Sequence, residues 1–162
     1  MPGAGESIDF SAWRDELRRV VEAGGTSDVP CGDCTACCRS RQFVQIDDDE
    51  LETLAQVDSR LLVRNPTGSA SWILGYDAAG RCPMLGDGGC TIYHDRPRTC
   101  RTYDCRVYAA SGVRPPQPLV AARVQSWIFA VDDQLQDCRR RAAELSAAGA
   151  PPLAAALRAL LK

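Results

Sequence analysis

The sequence predicts a small α+β domain, mainly helical, with a short antiparallel hairpin and irregular cysteine loops pinned together by metal. Three observations carry this expectation. Four thiols fall within the run Cys31-Gly-Asp-Cys34-Thr-Ala-Cys37-Cys38, and four more follow at Cys82, Cys90, Cys100 and Cys105. Both ends of the chain place apolar residues at helical spacing. The stretch between the cysteine groups alternates in hydropathy and is punctuated by turn residues.

The length of 162 residues suits one domain with a modest core, spanning residues 1–162. Within it, residues 31–105 form the cysteine-rich part and residues 119–162 a helical C-terminal part. Apolar residues make up 45% and charged residues 25%, an ordinary folded mix. The net charge of −2 offers no basic surface, so no nucleic-acid partner is expected. Lys162 is the only lysine, and arginine carries the remaining positive charge. A GC-rich genome gives this bias. So does a need to offset thiolate charge, because Arg39, Arg41, Arg81, Arg96, Arg98, Arg101 and Arg106 flank the cysteines. The first residues show neither a basic start nor an apolar run, and no stretch is apolar enough to span a bilayer. The expectation is a cytoplasmic protein with no membrane partner and with reduced thiols, whose cysteines bind metal or react rather than form disulfides.

Residues 1–8 read as a tail. A helix follows from Asp9, with Phe10, Trp13, Leu17, Val20 and Val21 on one face. Asp9 or Ser11 caps it and Gly24-Gly25 ends it. Thr26 to Pro30 links it to the cysteine loop. Arg41 to Ile46 reads as a strand. In Asp47-Asp48-Asp49-Glu50 the spacing suits a capping box, with Asp47 as N-cap and Glu50 reaching back, rather than a calcium loop. The helix so begun carries Leu51, Leu54 and Ala55 inward and ends near Ser59, with Leu61 to Val63 continuing the packing. Ser71 to Tyr76 reads as a strand whose hairpin partner is Arg81 to Leu85. A second tight turn at Gly86 to Gly89 brings Cys82 and Cys90 together. Pro97 opens a short helix carrying Cys100, with Asp95 nearby as a cap. Ser111 to Pro118 is a connector. Beyond it Val120, Val124, Trp127, Ile128, Val131, Leu135 and Cys138 fall on one helical face with Phe129 off it, a strand over Val124 to Val131 being the competing reading. Cys138 there reads as a buried apolar residue rather than a ligand. Pro151-Pro152 open a last helix with Leu153, Leu157, Leu160 and Leu161.

The chemistry lies in the thiols. Thiolates are soft ligands suited to zinc, copper(I) and iron–sulfur clusters. In Cys31-x-x-Cys34 a tight turn directs two sulfurs to one ion, and Gly32 supplies the positive φ such turns need. Cys31, Cys34 and Cys37 share the opening spacing of ferredoxin cluster loops. Adjacent Cys37 and Cys38 are expected to point different ways and to serve different ions or different corners of one cluster. His94, the only histidine, is not needed as a ligand and is expected at the surface.

These motifs together resemble a known family. The run Cys-x-x-Cys-x-x-Cys-Cys, then Gly80-Arg81-Cys82-Pro83-x-Leu85, then Cys90-x-Ile92-Tyr93-x-x-Arg96-Pro97-x-x-Cys100-Arg101-x-Tyr103-x-Cys105, is similar to the CxxCxxCC cysteine-cluster family of YkgJ-like proteins. The resemblance implies a zinc- or iron-chelating domain whose eight ligands are Cys31, Cys34, Cys37, Cys38, Cys82, Cys90, Cys100 and Cys105. Around them, two readings stand: Arg96 and Arg101 hydrogen-bond sulfurs or backbone carbonyls while Tyr103 closes the site as a lid, or all three pack the domain like any arginine and tyrosine.

Three functions follow. The first is an iron protein, with an iron–sulfur cluster on the triad and a remote cysteine and the other thiols on a second site. The second is a structural zinc module with two closed four-cysteine sites, acting through a protein partner. The third is a protein-modifying enzyme resembling flagellin lysine N-methylase, which carries a similar cluster; the chain lacks the glycine-rich strand-turn-helix fingerprint of a methyl-donor site. The triad spacing leans towards iron for at least one site.

Overall fold

Asp9 starts the first helix by accepting the Ala12 amide on its carboxylate at 2.7 Å, a cap worth about 1 kcal/mol. In this computed structural model, which describes residues 7–27 and 29–162, α1 then runs Phe10–Ala23 and ends where Gly24 turns left-handed at φ 68°. Its buried face is Phe10, Trp13, Leu17 and Val20, whereas Val21 faces solvent. The expected tail lies outside the described residues up to residue 6, as does Asp28 of the linker. Ile8 is not tail: it forms a parallel bridge with Phe129, the amide of Ile8 donating to Ile128 O at 2.7 Å and that of Ala130 to Ile8 O at 2.9 Å.

The chain divides into two compact units: one holds residues up to Gly32 together with Asp104–Lys162, the other holds Asp33–Tyr103. The first unit is helical. After α1 it contains α4 (Arg106–Ser111), α5 (Pro118–Val124), α6 (Asp133–Ala147) and α7 (Pro152–Leu160). Asp132 caps α6 through the Leu135 amide, and Gly149 at φ 83° turns the chain into α7. Helix α7 buries Ala155, Ala156, Ala159 and Leu160, small residues that let helices approach closely, whereas Leu153 is exposed. The continuous helix expected from Val120 to Cys138 is broken after α5. The break lets Phe129 pack edge-on against Trp13 at 4.9 Å between centroids, and leaves Ile128 and Val131 in solvent. Burying one large aromatic beside α1 outweighed an unbroken apolar stripe. Cys138 is fully buried in α6, as expected of an apolar filler.

Asp104 is the polar anchor of this unit. Its buried carboxylate accepts from Trp13 Nε1 at 3.1 Å and Ser27 Oγ at 3.0 Å, and pairs with the equally buried Arg106 at 2.8 Å. A buried charge without such partners would be costly, so Trp13, Ser27 and Arg106 are held together as a set.

The second unit holds a three-stranded antiparallel sheet in the order β1-β3-β2, with β1 Val44–Asp47, β2 Leu62–Arg64 and β3 Ser71–Leu74. Val44 and Leu62 both register with Leu74. Helix α2 (Leu51–Gln56), the two-residue strands β4 (Leu85–Gly86) and β5 (Gly89–Cys90), and helix α3 (Arg98–Thr102) complete it. Ile46, Val57, Leu74 and Ile92 form its core, with Met84, Cys82 and Cys90 packed alongside. Thr53 and Val57 face inward from the α2 segment and Leu54 packs partly against the core, whereas Leu51 and Ala55 are exposed.

The expected hairpin is different from the observed one. Strand β3 pairs with β1 and β2, not with Arg81 to Leu85. Asp77 closes a tight loop by accepting the Ala79 and Arg81 amides, each at 2.9 Å. The next amide, of Cys82, then turns to the cysteine loop instead of a strand.

Candidate metal centre

Backbone devices place several of the cysteines. Gly32, at φ 55°, makes the turn after Cys31. Cys37 and Cys38 lie in a 3₁₀ turn, Cys37–Arg39, pinned by Ser40 Oγ on Ala36 O at 2.5 Å. The Cys82 amide donates to Cys38 O at 2.7 Å and the Arg41 amide to Gly80 O at 3.0 Å, so residues 80–82 run alongside residues 38–41. Cys90 ends β5 in register with Leu85, whose own amide bonds Cys82 O at 3.0 Å. The turn expected to bring Cys82 and Cys90 together does so.

Cys100 sits in α3, a helix too short to stand alone. Its support is the acidic run. Glu50, 5% exposed, accepts the Arg98 amide at 2.5 Å and the Asp47 amide at 3.0 Å, and meets Arg101 Nη2 at 3.4 Å. The Arg98 guanidinium is shared by Asp47 at 2.9 Å and Asp49 at 3.0 Å. Thr99 Oγ1 donates to Gln45 O and Thr53 Oγ1 to Asp95 O. Glu50 does reach back to Asp47 as in a capping box, but Asp47 ends β1 and Glu50 itself stands at the N-cap of α2. The helix end that Glu50 caps with its side chain is that of α3, 48 residues on. Asp95 gives α3 no cap; Pro97 holds the N-cap position. Sequence reasoning missed Glu50 and Arg98 as organisers of the site. An acidic tetrapeptide matched by a distant Arg-Pro-Arg was the available signal.

Arg96 and Arg101 both reach backbone carbonyls: Arg96 Nη1 bonds Tyr93 O at 2.8 Å while its guanidinium covers the Tyr93 ring, and Arg101 Nη1 bonds Arg96 O at 2.7 Å. Tyr103 ends α3 as its C-cap and is half-buried. His94 is exposed against Tyr93.

In the second unit five thiols share one electrostatic neighbourhood. Cys38 donates a thiol hydrogen bond to Cys37, holding the Cys37 thiol down and pushing that of Cys38 up. Both cysteines belong to the same 3₁₀ turn. Burial, then the charges of Cys90 and Cys37, push Cys82 up. Cys100 keeps solvent access, yet crowding by protein atoms, followed by Cys37, Cys82 and Cys90, pushes it up to about 12 against the pull of Arg96. Cys34 lies just ahead of this group, half-buried in the loop. The remaining two of the eight, exposed Cys31 and buried Cys105, belong to the helical unit. There Trp127 Nε1 donates to Cys105 Sγ at 3.3 Å. None of the nine cysteines forms a disulfide.

The donor set fits a soft or borderline cation, being all sulfur where the thiols gather. The sulfurs are collected rather than closed: among the described residues, no three His, Cys, Asp or Glu side chains form a ready-made ligand group. Cys38, Cys82 and Cys100, whose thiols are pushed up, keep their protons until a cation displaces them.

An α+β fold that collects thiols from a loop, a hairpin and a short helix defines a thiol-rich metal-chelating domain. Residues 30–122 match the family model CxxCxxCC, described as "Putative zinc- or iron-chelating domain"; the match covers more than half of the chain, which belongs to this family. No curated protein and no solved structure matches it. No helix among the described residues is long and apolar enough to cross a membrane.

Proposed function

We propose that the chain binds iron as an iron–sulfur cluster, with Cys37, Cys38, Cys82, Cys90 and Cys100 as the core of the ligand set and Cys34 beside them in the same unit. The observation that carries this reading is the shared neighbourhood of the five thiols in one compact unit. The ferredoxin-like spacing of Cys31, Cys34 and Cys37 favours iron. A bound cluster supplies electron transfer or redox sensing. The chain's own residues hold the sulfurs: Glu50 seats the helix of Cys100, the Cys38–Cys82 backbone bond joins two loops, and Arg96 tempers the negative charge near Cys100. Zinc is the second reading. Eight thiols suffice for two closed tetrahedral sites, and the chain would then be a structural module that meets a protein partner.

Metal and sulfide analysis with an absorption spectrum, on protein purified without oxygen, decides between them. Brown protein with several irons and matching sulfide is the expected result. Colourless protein holding about two zincs per chain would overturn the iron reading and establish the structural one. Protein holding neither metal would overturn both.

A further inference from the structure

Within the helical unit, two members of the eight-cysteine set stand where the chain leaves and re-enters: Cys31 directly before Gly32, and Cys105 directly after Asp104. A single structure holds both places. Arg123, on α5, donates from Nη2 to Pro30 O at 3.1 Å, one residue from Cys31. Its guanidinium carbon lies 4.3 Å from the centroid of the Trp127 ring. Trp127 is brought there by the turn ending α5, in which its amide bonds Val124 O at 3.2 Å and Ser126 Oγ bonds Arg123 O at 2.8 Å. The Trp127 indole N–H then donates to Cys105 Sγ at 3.3 Å. Arg123 and Trp127 lie beyond the family match, which ends at residue 122.

We propose that Trp127 and Arg123 are positioning residues for Cys105, forming an indole–guanidinium clamp that presents it as a thiolate ligand and steadies the backbone beside Cys31. The inference rests on the reading of Cys105 as a ligand. An indole N–H is a donor only, so it serves an anionic or metal-bound sulfur better than a protonated one. Hydrogen bonds to ligating sulfur tune metal affinity and, with iron, reduction potential. Cation–π contact with the Arg123 guanidinium keeps the indole plane in place.

Cobalt(II) is the probe, because its thiolate charge-transfer band reports sulfur ligation directly. The full chain, Trp127→Phe, Cys105→Ser and the double variant are titrated with cobalt, then competed with zinc. The expected result is about tenfold weaker binding by W127F with a shifted thiolate band. The effect of W127F should vanish in the C105S background, and the thermal midpoint of metal-free W127F should stay near that of the parent. A clamp that is only structural would lower the midpoint and leave affinity unchanged, which would overturn the proposal. An equal loss from W127F with and without Cys105 would overturn it too. Where C105S binds cobalt as the parent does, Cys105 is no ligand and the reading beneath the proposal falls with it. Should W127F not fold, the indole N–H resonance of Trp127 in the parent chain takes its place: a shift on zinc loading is expected, and an unmoved resonance would refute the clamp.

Discussion

The amide of Cys82 and the carbonyl of Cys38 are hydrogen-bonded at 2.7 Å, joining by backbone alone two cysteines that are far apart in sequence. With the Arg41–Gly80 bond beside it, this makes the two loops one short antiparallel pair. The sulfurs on that pair are therefore placed by main-chain geometry before any cation arrives.

That pair depends on Gly80. Its φ is +78°, and a Cβ there would meet Arg41 Cγ at 2.4 Å and Nε at 2.7 Å. Gly80→Ala should cost about 1–2 kcal/mol in urea unfolding, from the left-handed backbone and the clash together. Adding Arg41→Ala should recover the clash and leave the backbone cost. A G80A chain as stable as the parent would show that the loops are not paired this way.

Glu50 should matter more than any other carboxylate in the second unit. Glu50→Ala leaves the Arg98 and Asp47 amides without their acceptor. The expected loss is about 2–3 kcal/mol, the range for buried hydrogen bonds to a charged group. The bound metal should fall with it, because α3 carries Cys100. Asp49→Ala, which touches only the exposed side of Arg98, should change stability by under about 1 kcal/mol. Thermal unfolding and metal content of the two variants, measured side by side, check the contrast.

The thiols set a pH dependence. Cys38, Cys82 and Cys100 all sit above the ordinary value of 9.0, Cys100 at about 12. A group raised in the folded state contributes fully below its unfolded value and loses that contribution as pH rises through the folded one. Metal-free protein should therefore lose stability between about pH 9 and 12, and Cys100→Ser should flatten the slope. Denaturant midpoints across this window test it. Metal binding has the opposite sense: ligating thiols give up protons, so zinc added near neutral pH should acidify a weakly buffered solution, and affinity should fall as pH falls.

Cys138 offers a control. It is fully buried in α6, and burial pushes its thiol up. Cys138→Ala should cost about 1 kcal/mol and Cys138→Ser about 1–3 kcal/mol, the hydroxyl lacking a partner. Neither should change metal stoichiometry. A lost metal equivalent in C138A would place Cys138 among the ligands.

What the sequence determined by itself was the local chemistry. The Asp9 cap and Gly24 stop of α1, the tight turn between Cys82 and Cys90, the proline start of α7 and the thiol spacing are each settled by residues within a few positions of one another. Their physics is short-range: a cap, a left-handed glycine, a locked φ. Partner choice was decided only in three dimensions. Strand β3 could have turned back on Arg81 to Leu85, but Asp77 closed that loop and the Cys82 amide was taken by Cys38. The apolar stripe from Val120 to Cys138 could have formed one helix, but Phe129 gained more by packing on Trp13 beside Ile8. Glu50 could have capped its own helix, yet its carboxylate caps the helix of Cys100. In each case the local pattern admitted two solutions, and burial or a hydrogen bond from a distant segment, which no local window contains, selected between them.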